Sequence, residues 1–241
     1  MNKSLIAAAA ISFLSVAAHA EDAPSPLTAN LSLTTNYKFR GQDQSKKPGN
    51  FKPAIQGGFD YTFGGGFYVG NWNSSIGWLN NSDKNANIEM DFYGGYKGEI
   101  VKDVAYDVGI LEYAYPGAAF ANTTEIYGAV SYSIATLKYS HTVSKKYFGV
   151  LDARNTGYID LAANYEVAKG LTLNGHVGFT SFSSDAKDNS GVKNYTDYKV
   201  GLTYDLGSGF SVAGAYVGAN KKNFYGDINK GRAILTITKS M

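Results

Sequence analysis

Apolar and polar side chains alternate along about a dozen stretches of this chain. The first stretch carries on its apolar face Leu27, Ala29, Leu31, Leu33, Thr35, Tyr37 and Phe39. A period of two places successive side chains on opposite faces of a β-strand. When the pattern repeats along an exported chain, it predicts a sheet closed into a membrane barrel, with lipid outside and water inside.

Twelve strands are predicted, at residues 27–40, 53–63, 67–78, 87–96, 104–115, 123–134, 136–144, 156–167, 171–182, 195–206, 210–218 and 231–241. Most have the ~9–11 residues that a tilted strand needs to cross a bilayer. Short glycine-containing joints at 64–66, 168–170 and 207–209 predict tight hairpin turns, because glycine adopts positive φ freely. Longer polar joints separate the hairpins. This asymmetry predicts an all-β, transmembrane antiparallel β-barrel with short periplasmic turns and longer extracellular loops.

The alternative architecture is a soluble barrel or sandwich, which also alternates but buries its apolar face around a core that excludes charge. The predicted tenth strand sets Asp197, Lys199 and Asp205 against an apolar face. The polar faces therefore carry much charge, and little apolar sequence remains for a separate core. We favour the membrane barrel.

The first twenty residues have the form of an export signal. Lys3 supplies a basic start, residues 5–17 form an apolar run, and Ala18-His19-Ala20 has the spacing of a cleavage site. The apolar run is shorter than the ~20 residues of a membrane-spanning helix. We therefore expect a cleavable signal peptide at 1–20, one barrel domain at 21–241, and a location in the bacterial outer membrane.

Composition excludes several other classes of protein. Lys and Arg number 22 against 20 Asp and Glu, so the chain is nearly neutral and gives no argument for a nucleic-acid partner. It has no cysteine for disulfides or thiolate metal sites. His141 and His176, the histidines beyond the signal, do not form a metal-ligand pattern with the scattered carboxylates. Phosphate-loop and dinucleotide motifs are missing as well. No metal or cofactor is predicted.

The two faces of the strands divide the side chains between lipid and lumen. Aromatic residues on the apolar faces are expected to form girdles at the lipid headgroups, and they include Tyr37, Phe39, Tyr68, Trp72, Trp78, Phe92, Tyr204 and Tyr216. The lumen is predicted to be lined by Lys38, Arg40, Asp60, Glu89, Asp91, Asp107, Glu125 and His176, with further polar residues such as Asn71 and Asn73. Glu112 breaks the phase of the fifth strand. A bulge there leaves open whether Leu111, Tyr113 and Tyr115 face lipid or lumen.

The predicted lumen charges have two interpretations. They can pair with one another and fill the barrel, or they can surround a wet pathway for a polar solute. We expect a narrow pathway, in which Lys38 and Arg40 oppose the carboxylates. Lys and Arg also predominate over Asp in the long loops. They are expected to contact anionic lipopolysaccharide, or alternatively to steer anionic solutes towards the barrel.

Several segments carry a family resemblance. They are Asn36-Tyr37-Lys38-Phe39-Arg40-Gly41, the stretch 53–61, Gly70-Asn71-Trp72, Glu89-Met90-Asp91, Tyr106-Asp107-Val108-Gly109, Tyr113-Ala114-Tyr115-Pro116-Gly117, Glu125-Ile126-Tyr127 and Gly175-His176-Val177-Gly178. With these segments the chain resembles the TorF family of porin-like exported proteins of proteobacteria. The resemblance covers nearly all of the chain beyond the signal, and it implies an outer-membrane β-barrel that acts as a porin.

The sequence thus predicts a porin-like channel for passive diffusion of small hydrophilic solutes, and no enzyme activity. Its expected partners are outer-membrane lipid, lipopolysaccharide, the solutes and the barrel assembly machinery. One alternative is a phospholipase-like barrel hydrolase, in which His141 and Ser144 would meet as base and nucleophile. The other is a structural or adhesive barrel with a plugged lumen.

Overall fold

Twelve strands close into one antiparallel barrel in the computed structural model, which describes residues 25–81 and 86–241. Strands are numbered in chain order, and β2 and β3 are two short strands inside the barrel that are described below. The barrel strands are β1 (Leu27–Thr34), β4 (Ala54–Thr62), β5 (Phe67–Ser75), β6 (Ile88–Val101), β7 (Val104–Ala114), β8 (Thr123–Tyr132), β9 (Ala135–Thr142), β10 (Gly157–Ala168), β11 (Leu171–Ser181), β12 (Tyr195–Gly207), β13 (Phe210–Ala219) and β14 (Arg232–Ser240). The predicted fold and strand number are confirmed. The predicted signal peptide at 1–20 lies outside the described residues.

Every barrel strand pairs with the next one along the chain, and β14 pairs with β1 to close the cylinder, with Leu33 opposite Ile237. Closure leaves neither edge of these twelve barrel strands unpaired. Curvature requires glycine in β4, where a Cβ on Gly58 would overlap the backbone oxygen of Asn71 on the neighbouring strand. The β4 strand can therefore bend closely against β5 only because residue 58 has no side chain.

The two ends of the barrel differ, as the sequence predicts. At one end, here called the turn end, strands are joined by turns of two to four residues, such as that between β12 and β13. At the other end, here called the loop end, the connections contain α1 (Ser184–Ser190), α2 (Lys222–Tyr225) and the 3₁₀ turns Trp78–Asn81, Ala119–Ala121 and Gly226–Asn229. Within the described ranges, no helix is long and apolar enough to span a membrane.

The outer face of the barrel is apolar and the inner face is polar. Leu31, Leu202 and Ile237 are exposed on the outside, at 49%, 46% and 45% of their surface. Between them in sequence, residues such as Ser32 and Thr203 are buried on the inside. The apolar belt therefore surrounds the cylinder, and the buried interior is the lumen itself.

The predicted first strand, 27–40, is wrong in its second half. The wall strand β1 ends at Thr34, and the chain then turns into the barrel, where β2 (Lys38–Phe39) pairs with β3 (Gln42–Asp43). Arg40 and Gly41 form the two-residue turn between them, with φ of 45° and 75°. Positive φ at both positions is the geometry of a tight hairpin turn. The alternation of apolar and polar residues thus continues past Thr34, but there it belongs to the hairpin of β2 and β3 and not to the barrel wall.

The phase of β5 also differs from the prediction. Trp72 lies inside, where its ring packs edge-on against Tyr37, and Tyr68 donates a hydrogen bond to Asp107 on the same inner wall. Asn71 lies on the outer face, opposite the exposed Phe59 and Phe92.

No bulge interrupts β7, whose pairing with β8 is continuous from Val104 to Tyr113. Glu112 faces outward and accepts a 2.5 Å hydrogen bond from the hydroxyl of Thr124. Leu111, Tyr113 and Tyr115 are buried on the inner side, next to Phe39 and Trp78. Leu111, Tyr113 and Tyr115 therefore face the lumen, which the sequence had left open.

Candidate functional site

The most unusual feature of the lumen is the inward hairpin, defined here as residues 37–43, which crosses the barrel near its loop end. Its side chains reach strands on all sides of the cylinder. Tyr37 contacts β5 and β6, Arg40 contacts β8 and β10, and Asp43 contacts β14. A Cβ on Gly41 would come within 2.7 Å of the Asp197 Cβ on β12, so the turn itself touches the wall. The inward hairpin therefore occupies the full width of the lumen at this level.

Arg40 is the best-anchored side chain of the inward hairpin. Its two terminal nitrogens donate to the two carboxylate oxygens of Glu125, at 2.9 and 2.7 Å, and one of them also donates to the hydroxyl of Tyr147 at 2.7 Å. The guanidinium lies 4.1 Å from the ring centroid of Tyr158. Burial disfavours the charge, but Glu125, Tyr147 and Tyr113 together outweigh it and raise the pKa of Arg40 above its ordinary value. A forked, stacked pair of this kind fixes both position and orientation.

A second ion-paired group holds the returning strand of the hairpin. Asp43 accepts a 2.7 Å hydrogen bond from Nε of Arg232 on β14, and its other oxygen lies 3.4 Å from Nζ of Lys38. Lys38 also donates to the backbone oxygens of Gly41 and Ile228. Burial lowers the pKa of Lys38 to about 8, against the attraction of Asp43. The hairpin is thus attached by charged groups that are themselves removed from solvent.

Tyr37, the first residue of the inward hairpin, is attached to a carboxylate on β6. Its hydroxyl donates to Glu89 at 2.6 Å, and the hydroxyl of Tyr115 donates to the other oxygen of Glu89 at 2.6 Å. Burial and the nearby Glu89 raise the pKa of Tyr37, so the phenol is neutral. Asp91 lies two residues further along the same face, and its Oδ1 atom is buried without a hydrogen-bond partner among the described residues.

Aromatic side chains cover the inward hairpin on the loop side. The ring of Phe39 packs edge-on against Tyr113 and Phe148, with centroids 5.5 and 5.2 Å apart. Phe148 lies in the loop between β9 and β10, and it also packs against Tyr147 and Tyr115. The loop therefore folds over the hairpin and adds an apolar layer between it and the outside.

On the opposite wall, a histidine and two carboxylates form one group. Nδ1 of His176 lies 2.8 Å from Asp160 and 3.7 Å from Asp197. Asp197 also accepts a 3.1 Å hydrogen bond from Tyr158, the ring on which Arg40 stacks. The wall group is consequently connected to the inward hairpin through Tyr158.

Towards the turn end, tyrosines and carboxylates share one wall of the lumen. Tyr93 donates to Asp60 and Tyr68 donates to Asp107, both at 2.6 Å. The hydroxyls of Tyr68 and Tyr127 are also hydrogen-bonded to each other. Apart from the buried Tyr127, these side chains are only partly buried, in contrast to the hairpin level.

The eight residues predicted to line the lumen all lie inside the barrel. Asp60, Glu89, Asp91, Asp107, Glu125 and His176 are on wall strands, whereas Lys38 and Arg40 are on the hairpin. The hairpin brings Arg40 into contact with Glu125, whereas Asp60 and Asp107 lie nearer the turn end, away from the hairpin. Whether these residues select solutes stays a prediction. Sequence reasoning missed Asp43 and Tyr147, because it placed residues 35–40 in a wall strand and so did not predict the turn at Arg40-Gly41.

The pair proposed for a hydrolase does not assemble. The ring of His141 faces outward and lies within hydrogen-bond distance of Tyr139 and Asn155, both at 3.2 Å. The hydroxyl of Ser144 donates to the backbone oxygen of Lys146 instead. In the part of the chain that the structure describes, no group of three metal-ligating side chains is arranged to hold an ion.

Comparison with known proteins supplies a family and a fold. The model of a family described as "Bacterial protein of unknown function (Gcw_chp)" matches residues 18–240. A comparison with curated proteins finds no significant match. The TorF resemblance is not tested by these matches and stays a prediction.

Among solved structures, the KdgM porin superposes with a TM-score of 0.58 at 9% identity, covering 89% of this chain and 99% of that one. The NanC porin gives 0.55 at 11% identity, with 88% and 97% covered. An outer membrane channel from Pseudomonas putida F1 gives 0.52 at 10% identity, with 92% and 97% covered. At these identities the likeness establishes a shared porin fold.

Proposed function

We propose that this chain, which belongs to the Gcw_chp family of bacterial proteins, is an outer-membrane channel for passive diffusion of small hydrophilic solutes. The observation that carries the proposal is a closed barrel with an apolar outer face and a charged, polar interior. Lipid tails match the outer face and hydrated solutes match the inner one. We assign the barrel no covalent chemistry.

The outer surface supports a location in a membrane. Leu31, Leu202 and Ile237 belong to a continuous belt of exposed apolar side chains that surrounds the barrel. Apolar patches of this size are rarely left in contact with water. Export through the predicted signal peptide would bring the chain to the outer membrane, where β-barrels of this type insert.

The inward hairpin sets how much can pass. At its level the side chains of Lys38, Asp43 and Glu125 are almost fully removed from solvent. Solute flow through the resting barrel is therefore small, and it rises when the hairpin leaves its position. Polar anchoring suits such a movement, because the gain from each ion pair is offset by the loss of its hydration.

The test compares the purified wild-type protein with a variant in which residues 38–43 are replaced by a Gly–Ser segment of equal length. A matched control makes the same replacement in the loop helix α1, at residues 184–190 with the buried Ala186 kept. In planar bilayers and in liposome swelling with neutral sugars, we expect low conductance from the wild type and the control, and much higher conductance from the hairpin variant. Equal conductance in all three would contradict the role of the hairpin.

A second candidate function is a structural barrel with a plugged lumen. The ion pairs of Arg40 with Glu125 and of Asp43 with Arg232 favour it, because they fill the lumen at the hairpin level. If the hairpin variant conducts while the wild type stays closed under every condition, the hairpin is a permanent plug. If neither conducts, the channel proposal is refuted.

A further inference from the structure

We infer that the lumen selects cations over anions, and that Glu89 and Asp91 on β6 set this preference at the level of the inward hairpin. The inference rests on the proposed channel function, and it names the class of solute. Small inorganic cations and organic ammonium compounds would pass more readily than anions of the same size.

The first argument is the balance of charge inside the barrel. Among the described residues, eight carboxylates with lumen contacts or buried inner positions are Asp43, Asp60, Glu89, Asp91, Asp107, Glu125, Asp160 and Asp197. Six ammonium or guanidinium groups oppose them, namely Lys38, Arg40, Lys97, Lys138, Lys199 and Arg232. Three further carboxylates, Glu99, Glu166 and Asp205, follow the same inward phase near the turn end. The lumen is therefore net negative.

The second argument is that four of these eight described carboxylates have no ion pair, and two of these, Glu89 and Asp91, lie at the level of the inward hairpin, whereas Asp60 and Asp107 lie nearer the turn end. Among the described residues, the ion pairs within 4 Å involve Asp43, Glu125, Asp160 and Asp197, and none involves Glu89 or Asp91. Glu89 receives only the neutral hydroxyls of Tyr37 and Tyr115, and Asp91 has an oxygen without any partner.

Both carboxylates are deeply buried, with 1% and 3% of the surface of Glu89 and Asp91 exposed. Burial makes the charged form of a carboxylate without a cationic partner costly, and the approach of a cation relieves that cost. An anion brings no such stabilisation. Because Glu89 is hydrogen-bonded to Tyr37 at the start of the inward hairpin, the field of the pair acts at the level where the lumen is narrowest.

The third argument is that the wall already accommodates ammonium groups. Nζ of Lys138 lies 4.1 Å from the ring centroid of Tyr127, and Nζ of Lys97 lies 5.3 Å from that of Tyr68. Ring faces attract cations through their quadrupole. Tyrosine faces next to carboxylates therefore suit organic ammonium solutes as well as metal ions.

The lysines of the long loops do not reverse this field. Lys145, Lys146 and Lys221 lie outside the barrel strands, on the loop side. Exposed charges are screened beyond about 8 Å at physiological salt, whereas buried charges are screened much less. Selectivity is therefore decided by the side chains in the lumen.

The experiment measures reversal potential across a planar bilayer under a KCl gradient, for the wild type and for Glu89→Gln/Asp91→Asn. The matched control is Asp185→Asn/Asp188→Asn, which removes two exposed carboxylates from α1. We expect the wild type and the control to prefer K⁺ over Cl⁻. In the Glu89/Asp91 variant this preference should fall by roughly tenfold, the lower end of the range over which local fields change ion concentrations.

A second measurement requires no variant at those positions. Replacing K⁺ by tetramethylammonium in the wild type should preserve a cation-selective current, whereas replacing Cl⁻ by a larger anion should leave the current nearly unchanged.

A conducting wild type that prefers anions, or a preference unaltered in the Glu89/Asp91 variant, overturns the inference and leaves the channel proposal standing. Absence of current from both the wild type and the hairpin variant refutes the channel itself, and the inference with it.

Discussion

Replacing Arg40 with glutamine should release the inward hairpin. The substitution removes both charged hydrogen bonds to Glu125, the hydrogen bond to Tyr147 and the stacking on Tyr158. It also leaves the carboxylate of Glu125 without its cation, although Glu125 is only 1% exposed. The hairpin then keeps only its other attachments, among them the hydrogen bonds of Tyr37, Lys38 and Asp43.

The size of the effect follows from the burial of the pair. Removing one partner of a buried ion pair typically costs about 3–5 kcal/mol. Glutamine can still donate one hydrogen bond to Glu125, so we take the lower end, about 3 kcal/mol. At 1.36 kcal/mol for each factor of ten, the ratio of docked to undocked hairpin should fall about 100-fold.

Single-channel recording in planar bilayers measures this ratio as the fraction of time spent in the open state. We expect Arg40→Gln to open far more often than the wild type and to change ion preference, whereas Lys221→Gln, in an exposed loop, should do neither. The double variant Arg40→Gln/Glu125→Gln should open less than Arg40→Gln, because no buried charge is left unpaired. If Arg40→Gln folds into a heat-modifiable barrel and records like Lys221→Gln, the hairpin is not the barrier.

Three other predictions concern the hairpin, the wall and the membrane face. Because burial lowers the pKa of Lys38 to about 8 from an ordinary 10.5, the docked hairpin binds fewer protons than the undocked one between those values. Wild-type conductance should therefore fall as pH rises from 8 to 10.5, and Lys38→Met should show no such fall. Gly58→Ala should lower the unfolding temperature in detergent, since its Cβ would overlap the backbone oxygen of Asn71; an unchanged temperature would mean that β4 can straighten. Leu202→Arg should cost about 2–4 kcal/mol of stability in lipid, and Leu206→Arg, near the turn end, should cost less. Equal small costs would place Leu202 away from acyl tails.

The sequence by itself determined the barrel. Alternation in segments such as 195–206 identifies strands, and glycine-containing joints such as 207–209 identify turns. The number of strands then follows by counting, and closure follows because an even set of amphipathic strands with short turns has no other way to satisfy its edges in lipid. Leu202 and Ile237 could be placed on the outside because a long run of neighbours shared their phase.

Only the tertiary structure decided what fills the barrel. Residues 35–40 alternate as well as those of β1, so their pattern could not reveal that the chain leaves the wall at Thr34. The turn depends on Arg40 at positive φ, a conformation for which its residue type gives no signal.

The predicted phase of β5 was wrong for a related reason. A period of two shows that two faces differ, but it does not show which face is inside when both carry polar groups, as with Asn71 and Trp72. The partner of Arg40 lies 85 residues away along the chain, on β8. This pair forms only when the barrel closes and brings Glu125 next to the hairpin. The local sequence determines which face of a strand a side chain occupies, whereas the closed fold determines which distant residue it contacts.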